Sequence, residues 1–268
     1  MKKERVDVLL VQQGLAPSRE RAKRLVMAGS IFDEKHQRYD KPGEKVAMTT
    51  EFYCKGPTLP YVSRGGLKLK KALEVFPVSL KGANVLDIGS STGGFTDVSL
   101  KAGASHVYAL DVGTNQLVWS LRQDPRVTVM EQTNFRYAKP EDFKEGQPHV
   151  ATIDVSFISL RLMLQPLHAI LADEGQVVAL IKPQFEAGRD KVGKHGLVLD
   201  PKVHHEVIEE VITQAKQLAY VPLGLTYSPI TGGKGNIEFL LYLKKTAQAQ
   251  AIEDLNIQAV VKEAHQHL

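Results

Sequence analysis

The sequence predicts an α/β protein: an open, mostly parallel sheet with helices between its strands, preceded by a small α+β module. Three observations carry this reading. Four short runs rich in Val, Ile and Leu (NVLD, VYALD, VATID and VVALIK) are separated by helix-length segments, as buried parallel strands are. Each run stops on one charged residue, at Asp87, Asp111, Asp154 and Lys182. Charges gathered at one sheet edge are costly to desolvate unless they pair or bind something, and the edge outside the carboxyl ends of such strands is where ligands sit. The first quarter of the chain has a different texture, with short helices, turns and a basic excess.

At 268 residues the chain has room for one large domain and a small one. No apolar run approaches the length of a membrane span, and the start MKKERVDVLLVQQG turns polar too soon for a signal peptide. The single cysteine, Cys54, excludes an internal disulfide and a cysteine-based metal site, and fits a cytoplasmic protein. Residues 1–60 hold 12 Lys and Arg against 8 Asp and Glu, whereas residues 61–268 hold 22 of each. The net charge of +4 therefore belongs to the first quarter and points to an anionic partner there or to a solvated basic face.

In the module at 1–60, helical periodicity runs from about Arg5 through Val8, Leu9 and Val11 and stops at Gly14. Ser18 is a natural N-cap for a second helix that buries Ala22, Leu25 and Val26 and ends at Gly29. A strand in GSIFDE, a turn at residues 40–43 and a strand from about Lys45 to Thr49 then read as a small β-hairpin. Two helices and a hairpin, with the basic stretch SRERAKRLVMAGSIF, resemble the S4 RNA-binding domain. That resemblance implies that Arg5, Arg19, Arg21, Lys23 and Arg24 meet RNA phosphates, giving affinity and placement more than sequence reading. The linker YVSRGG, residues 61–66, reads as a mobile connection and carries Arg64.

The domain at 67–245 opens with a helix in LKLKKAL. Its first strand leads into DIGSSTGGFTD, where Gly89, Gly93 and Gly94 let the backbone turn sharply and lie close to a ligand. Phe95 stands where a P-loop needs lysine, and Ser91 where a dinucleotide fingerprint needs glycine. What remains, D-x-G-x-x-x-G-G, resembles motif I of the class I S-adenosylmethionine-dependent methyltransferases, and implies their Rossmann-like sheet. By that resemblance Asp87, Gly89, Ser91, Gly93, Gly94, Phe95 and Thr96 hold the cofactor, Asp111 takes its ribose hydroxyls, and Asn134 lies near its adenine.

Asp154 and Lys182 end two strands, Lys68 lies early in the first helix, and Glu238 sits in the apolar run IEFLLYL of a late strand. Together they match the K-D-K-E tetrad of the FtsJ-like ribose 2′-O-methyltransferases. With the S4-like start, the motifs VSRGGLKL, DIGSSTGGFTD, IDVSFISL and IKPQFE resemble the TlyA family of rRNA methyltransferases over nearly the whole chain. A ribose 2′-hydroxyl is a poor nucleophile until it loses or shares its proton. A lysine base must be neutral, which its reference pKa near 10.4 opposes; burial and a second ammonium work in its favour, carboxylates against it. Lys182 is the residue expected to act on the hydroxyl, as base or as orienting donor.

The loop GRDKVGKHGLVLD places Arg189, Lys191, Lys194 and His195 among glycines, either to close over RNA or as a flexible solvated loop. His204, His205, Glu206 and Glu209 have metal-like spacing but read as a polar helix, so no metal is expected. Residues 246–268 read as an amphipathic helical tail. The expected protein is a monomeric, S-adenosylmethionine-dependent ribose methyltransferase acting on a cytidine in ribosomal subunits. The family resemblance implies 23S rRNA, with 16S rRNA as a second substrate in some relatives. Relatives have also been labelled haemolysins, but a pore-former needs a membrane-length segment, a signal peptide or a β-barrel pattern, none of which is visible. A non-catalytic ribosome-assembly factor would not need the tetrad. A base N-methyltransferase would be expected to carry prolines after Asp154, where VSF stands.

Overall fold

The computed structural model describes residues 3–27, 29–39, 41–55, 60–246 and 255–268, and the chain divides into two units, Met1–Pro60 and Tyr61–Leu268. In the first unit, strand β1 (Lys3–Arg5) runs into helix α1 (Val6–Gln12), followed by α2 (Arg19–Met27), β2 (Ile31–Asp33), β3 (Arg38–Tyr39), β4 (Lys45–Ala47) and β5 (Phe52–Cys54). The Arg21 N–H donates to Ser18 Oγ at 3.3 Å, so the expected cap starts α2. Val6, Leu9 and Leu10 of α1 and Ala22 and Val26 of α2 meet Ile31, Tyr39 and Phe52 in one small core.

The expected hairpin does not form. Strand β2 pairs antiparallel with β3 and β5, and β4 pairs antiparallel with β1. Strands of two or three residues leave no alternation for a sequence to show, and their partners are chosen by contacts far along the chain. Asp40, in the expected turn, lies outside the described residues.

The second unit opens with α3 (Gly66–Val75), β6 (Asn84–Ile88), α4 (Gly94–Lys101), β7 (His106–Leu110), α5 (Trp119–Arg122) and β8 (Val127–Met130). It continues with β9 (Val150–Ile153), α6 (Arg161–Ile170), β10 (Gln176–Ile181), α7 (Pro183–Glu186), α8 (Pro201–Gln217), β11 (Tyr220–Tyr227), β12 (Phe239–Lys245) and α9 (Ile257–His267). Seven strands form one sheet in the order β11-β12-β10-β9-β6-β7-β8. All neighbours are parallel except β12, which runs against both β10 and β11. This is the Rossmann-like α/β class expected from the sequence. The chain winds outward from β6 to β8, then returns to start β9 on the other side of β6, so the sheet has its switch point between β6 and β9.

Helices cover both faces. Leu69 and Ala72 of α3 and Phe95 and Val98 of α4 pack on one; Met163 and Leu167 of α6, Ile208 and Val211 of α8 and Val261 of α9 pack on the other. Each fully buried Leu, Ile or Val contributes about 1.5–3 kcal/mol relative to exposure. Of the tail, residues 247–254 lie outside the described residues.

Two expectations are corrected here. Asp111, Asp154 and Lys182 do follow the last residues of their strands, but Asp87 lies inside β6, paired in register with Ala109 and Thr152. Side chains alternate along a strand, so Asp87 points with Val85 into the layer beneath α4 and not out of the sheet edge. The segment 61–66 is no free linker within its unit: the Val62 N–H donates to Asp97 Oδ2 at 2.9 Å, and Gly66 packs against the Tyr61 ring.

Candidate active site

A cavity of about 490 Å³ opens at the carboxyl ends of β6, β9 and β10, the switch point of the sheet. Its floor holds an alternating row of charges. Lys182 Nζ lies 2.6 Å from Asp154 Oδ1, Lys68 Nζ lies 3.4 Å from Asp154 Oδ2, and Lys68 Nζ lies 2.7 Å from Glu238 Oε2. Lys182 also donates to Ser156 Oγ at 3.1 Å. Both lysine side chains are 9% exposed and Glu238 only 3%. Burial pushes the Asp154 carboxyl up, but the charges of Lys68 and Lys182 outweigh it and hold the group below its usual range. The four residues come from four elements: the first turn of α3, the end of β9, the end of β10, and the residue before β12. Glu238 therefore precedes its strand instead of lying within it.

The glycine-rich turn forms one wall. Gly89 has a left-handed backbone (φ 86°), and a Cβ there would stand 2.6 Å from the Asp154 carbonyl oxygen, so only glycine lets β6 and β9 close together at this level. Gly89, Ser91, Gly94 and Phe95 line the cavity, together with Ser90. The Ser90 hydroxyl is buried and has no hydrogen-bond partner among the described residues, which leaves a polar group for a ligand to satisfy. Asp111 stands beside the turn and outside the cavity lining; its Oδ2 accepts from the Ser91 N–H at 2.8 Å and its Oδ1 from the Gly113 N–H at 2.7 Å. A carboxylate has about four acceptor sites, so capacity remains for a hydroxyl pair.

Not every expected cofactor residue reaches the cavity. Asp87 is fully buried and accepts from Thr96 Oγ1 at 2.7 Å and Thr152 Oγ1 at 3.1 Å. Burial pushes its carboxyl up to about 7 despite those two hydroxyls. Asp87 and Thr96 hold the start of α4 against the sheet and meet no solvent, which corrects the expectation that they touch a ligand. Gly93 packs against Leu117 and Leu121 behind the turn. Asn134 is exposed, accepts from the Arg136 N–H at 3.2 Å, and lies outside the cavity lining.

Among the expected RNA contacts, Arg64 lines the cavity mouth. Lys191 is paired with Glu206 at 2.6 Å, and Arg189 and Lys194 are exposed in short turns outside the lining. Their loop carries a Gly193 N–H to Leu197 carbonyl bond of 2.8 Å and ends on the buried Val198. In the first unit, Arg5 and Arg19 both point at the inaccessible Asp7 carboxylate, at 2.8 and 3.3 Å. Beside that ion pair the two side chains stay 38% and 56% exposed. Arg24 lies 3.7 Å from Glu20, Lys23 is exposed, and Arg21 is half-buried. The helix with metal-like spacing is amphipathic, burying Val207, Ile208 and Val211. Its His204 bonds the Val198 carbonyl at 3.0 Å and His265 at 2.9 Å, and burial pushes the imidazole down to about 4.

Residues 61–245, which include every residue lining this cavity, match the model of the FtsJ-like methyltransferases. The chain belongs to that family. It is 57% identical to YqxC of Bacillus subtilis over 100% of this chain and 96% of the relative. It is 40% identical to the Mycobacterium tuberculosis 16S/23S rRNA (cytidine-2′-O)-methyltransferase TlyA, over 94% and 96% of the two chains. A solved structure from Streptococcus thermophilus that carries a provisional hemolysin name superposes with a TM-score of 0.80 at 57% identity, covering 100% of this chain and 97% of that one. The protein is thus an S-adenosylmethionine-dependent methyltransferase of the FtsJ-like family.

Several residues of the family domain escaped sequence reading. Glu131 accepts from the N–H groups of Asn115, Gln116 and Leu117 and from Arg122, whose hydrogen bond leads in holding the carboxyl down at about 2. It shapes the segment that follows Asp111. Phe157 is 89% exposed at the cavity mouth, has a left-handed backbone (φ 64°), and packs on Phe185 at 4.8 Å between ring centres. The run ITGGKGN, residues 230–236, contributes a whole rim of the cavity; its three glycines around a lysine were a legible signal.

Proposed function

We propose that this protein transfers a methyl group from S-adenosylmethionine to the ribose 2′-hydroxyl of a cytidine in ribosomal RNA, with 23S rRNA as the first substrate and 16S rRNA as a second. The observation that carries this reading is the row Lys182–Asp154–Lys68–Glu238 on the cavity floor. It supplies a buried amine beside a carboxylate that fixes its direction, which is what a weakly acidic hydroxyl requires. The name printed for the relative from M. tuberculosis supports the same chemistry.

The wall of the cavity fits the cofactor, with the unsatisfied Ser90 hydroxyl and the close-packed turn at Gly89 as the structural grounds. Gly89, Ser91, Gly94 and Phe95 would hold it at the turn and Asp111 at its ribose, and the family resemblance adds Asn134 near the adenine. S-adenosylmethionine supplies an already activated methyl on a sulfonium, so much of the protein's task is positioning. Lys182 receives or orients the proton of the hydroxyl. Asp154 aligns Lys182 and balances its charge, Lys68 ties Asp154 to Glu238, and Glu238 holds Lys68 in place. Phe157 offers an exposed ring on which an unstacked nucleobase can lie. A left-handed backbone at such a residue costs about 1–3 kcal/mol, a cost that clusters at functional sites. In the first unit, Lys23, Arg21 and Arg24 of α2 dock RNA through its phosphates, with Arg5 and Arg19 contributing less.

The test is transfer of labelled methyl from S-adenosylmethionine to purified large and small ribosomal subunits, followed by nuclease digestion and separation of ribose- from base-methylated nucleosides. The expected product is 2′-O-methylcytidine from large-subunit RNA. Label on a base, or none on either subunit, would overturn the reading.

A further inference from the structure

The two carboxylates that line the cavity are both engaged on its floor, Asp154 with Lys68 and Lys182 and Glu238 with Lys68. The mouth carries a further set of basic groups, Arg64, His195 and Lys234, with no other acid in the lining among the described residues. An anion entering this cavity therefore meets a balanced floor and a positive rim.

His195 and Lys234 share an unusual backbone. Each sits in a single turn between glycines, Gly193–Gly196 and Gly233–Gly235, and each is left-handed, with φ of 64° and 61°. Non-glycine residues adopt that conformation uncommonly, histidine more readily than lysine, and holding it costs about 1–3 kcal/mol each. One buried side chain fixes both turns. Asn236 is 2% exposed; its Nδ2 donates to the Gly196 carbonyl at 2.9 Å and to the Gly233 carbonyl at 3.3 Å, and its Oδ1 accepts from the Val198 N–H at 3.0 Å. The Gly232 N–H donates to the Asn236 carbonyl at 2.8 Å. A Cβ on Gly232 would collide with the Glu238 carboxylate, so the second turn is also seated directly on the tetrad.

We propose that His195 and Lys234 form a clamp for the phosphodiester adjoining the target ribose, with Asn236 as the positioning residue that holds the two turns together. The inference rests on the ribose reading above and deepens it. In a polynucleotide the carbon bearing the 2′-hydroxyl is bonded to the carbon bearing the 3′-phosphate. A cavity that brings the hydroxyl to Lys182 must therefore take in that phosphate as well. The imidazole N–H and the lysine N–H groups supply donors from two sides, and such contacts position a nucleotide without reading its base.

The experiment uses the full-length protein, S-adenosylmethionine and purified ribosomal subunits, with His195→Asn, Lys234→Asn and the double variant. Asparagine tolerates a left-handed backbone, so these variants remove the donors while leaving the turns their shape. The double variant is expected to raise KM for subunits roughly tenfold or more while kcat at saturating RNA stays close to that of the parent. It should also lower the log–log salt slope of KM by about 0.7–0.9 for the lost phosphate contact. Lys234→Arg should restore most of the loss, and cofactor affinity by calorimetry should not move. Asn236→Ala should reproduce the KM effect if its role is to hold the turns. Unchanged KM and salt slope in the double variant, or a fall in kcat alone, would overturn the clamp. Product mapping on the parent protein tells this failure from the other: a base-methylated or unlabelled product sinks the ribose reading, whereas a 2′-O-methylated product with variants indifferent to salt sinks only the clamp.

Discussion

The two units each hold a carboxylate between two cations, Asp7 buried and Asp154 half-buried, and they set it in different surroundings. In the first unit Asp7 is flanked by Arg5 and Arg19, whose side chains remain 38% and 56% exposed. In the second, Asp154 is flanked by Lys68 and Lys182, both 9% exposed. A guanidinium stays protonated and offers a planar fork, which suits permanent anchoring. An amine is a compact group that can give up a proton when its surroundings allow. On the function proposed above, the same arrangement of charges is a fastening in one place and a reactive site in the other, and the choice of cation distinguishes them. Asp87 makes a third case. It is fully buried with two hydroxyls and no cation, and is the carboxyl that burial pushes up to about 7.

The sharpest way to break this contrast is at Lys182. Lys182→Ala should lower single-turnover methyl transfer by roughly 100- to 10,000-fold, the usual worth of a positioned acid or base, with cofactor affinity by calorimetry unchanged. Lys182→Arg separates the two roles left to the residue, because arginine can orient a hydroxyl but cannot accept its proton. Recovery of transfer in that variant would make Lys182 an orienting donor; an equal loss would make it the base.

Next in size is Asp111, a carboxylate held by backbone amides alone. Asp111→Ala should weaken S-adenosylmethionine binding by roughly tenfold to a hundredfold, the worth of a charged hydrogen bond of about 1.5–3 kcal/mol, while RNA binding is retained. Calorimetry showing unaltered affinity would remove it from the cofactor site.

The carboxyls also predict opposite responses to pH. Asp87 titrates at about 7 in the folded protein, above its unfolded value near 3.9, so folding favours its protonated form. Its contribution is fully present below about 4 and is lost as pH rises to about 7, a loss of a few kcal/mol at about 1.4 kcal/mol for each pH unit crossed. Asp87→Asn should flatten urea midpoints measured across that window. Asp7 is held below its usual range, first by the Arg5 hydrogen bond and against burial. Its contribution is fully present above about 3.9 and is lost as pH falls from there through its lower folded value. Hydrogen exchange of α1 amides in the parent and in Asp7→Asn, at pH 6 and pH 3, should show a difference at the higher pH that shrinks at the lower.

The smallest expected effect compares cations within the first unit. Neutralising Lys23 and Arg24 should lower the log–log salt slope of RNA binding by about 0.7–0.9 per lost phosphate contact; neutralising Arg5 and Arg19 should lower it less, because Asp7 already occupies them. Equal slopes for the two pairs would mean that the fastening also serves RNA.

The parallel strands and the charges at Asp154 and Lys182 were legible because each depends on local pattern, an apolar run and then one charge, whereas Lys68 and Glu238 stood out only through the family resemblance. Asp87 misled for the same reason, since a strand's last residue cannot be told from its penultimate one by composition, and one position reverses the direction of a side chain. The pairing of the short strands in the first unit was not legible, because β4 finds β1 some forty residues back. Tyr61–Gly66 read as a hinge from its glycines, yet its anchor is Asp97, 35 residues on. Asn236 was invisible as a clasp, since its partners at Gly196 and Val198 lie 40 and 38 residues away.

That anchored segment also bears on how the cavity keeps its shape. Ser63 and Arg64 form part of the cavity wall, and the first unit ends at Pro60. The Val62 N–H beside them is held by Asp97 of α4, and the same helix starts at the glycine-rich turn that forms another wall. One short helix thus braces two walls of the cavity at once, like a strut behind a panel. A substitution at Asp97, which lines nothing itself, would slacken the cavity from behind.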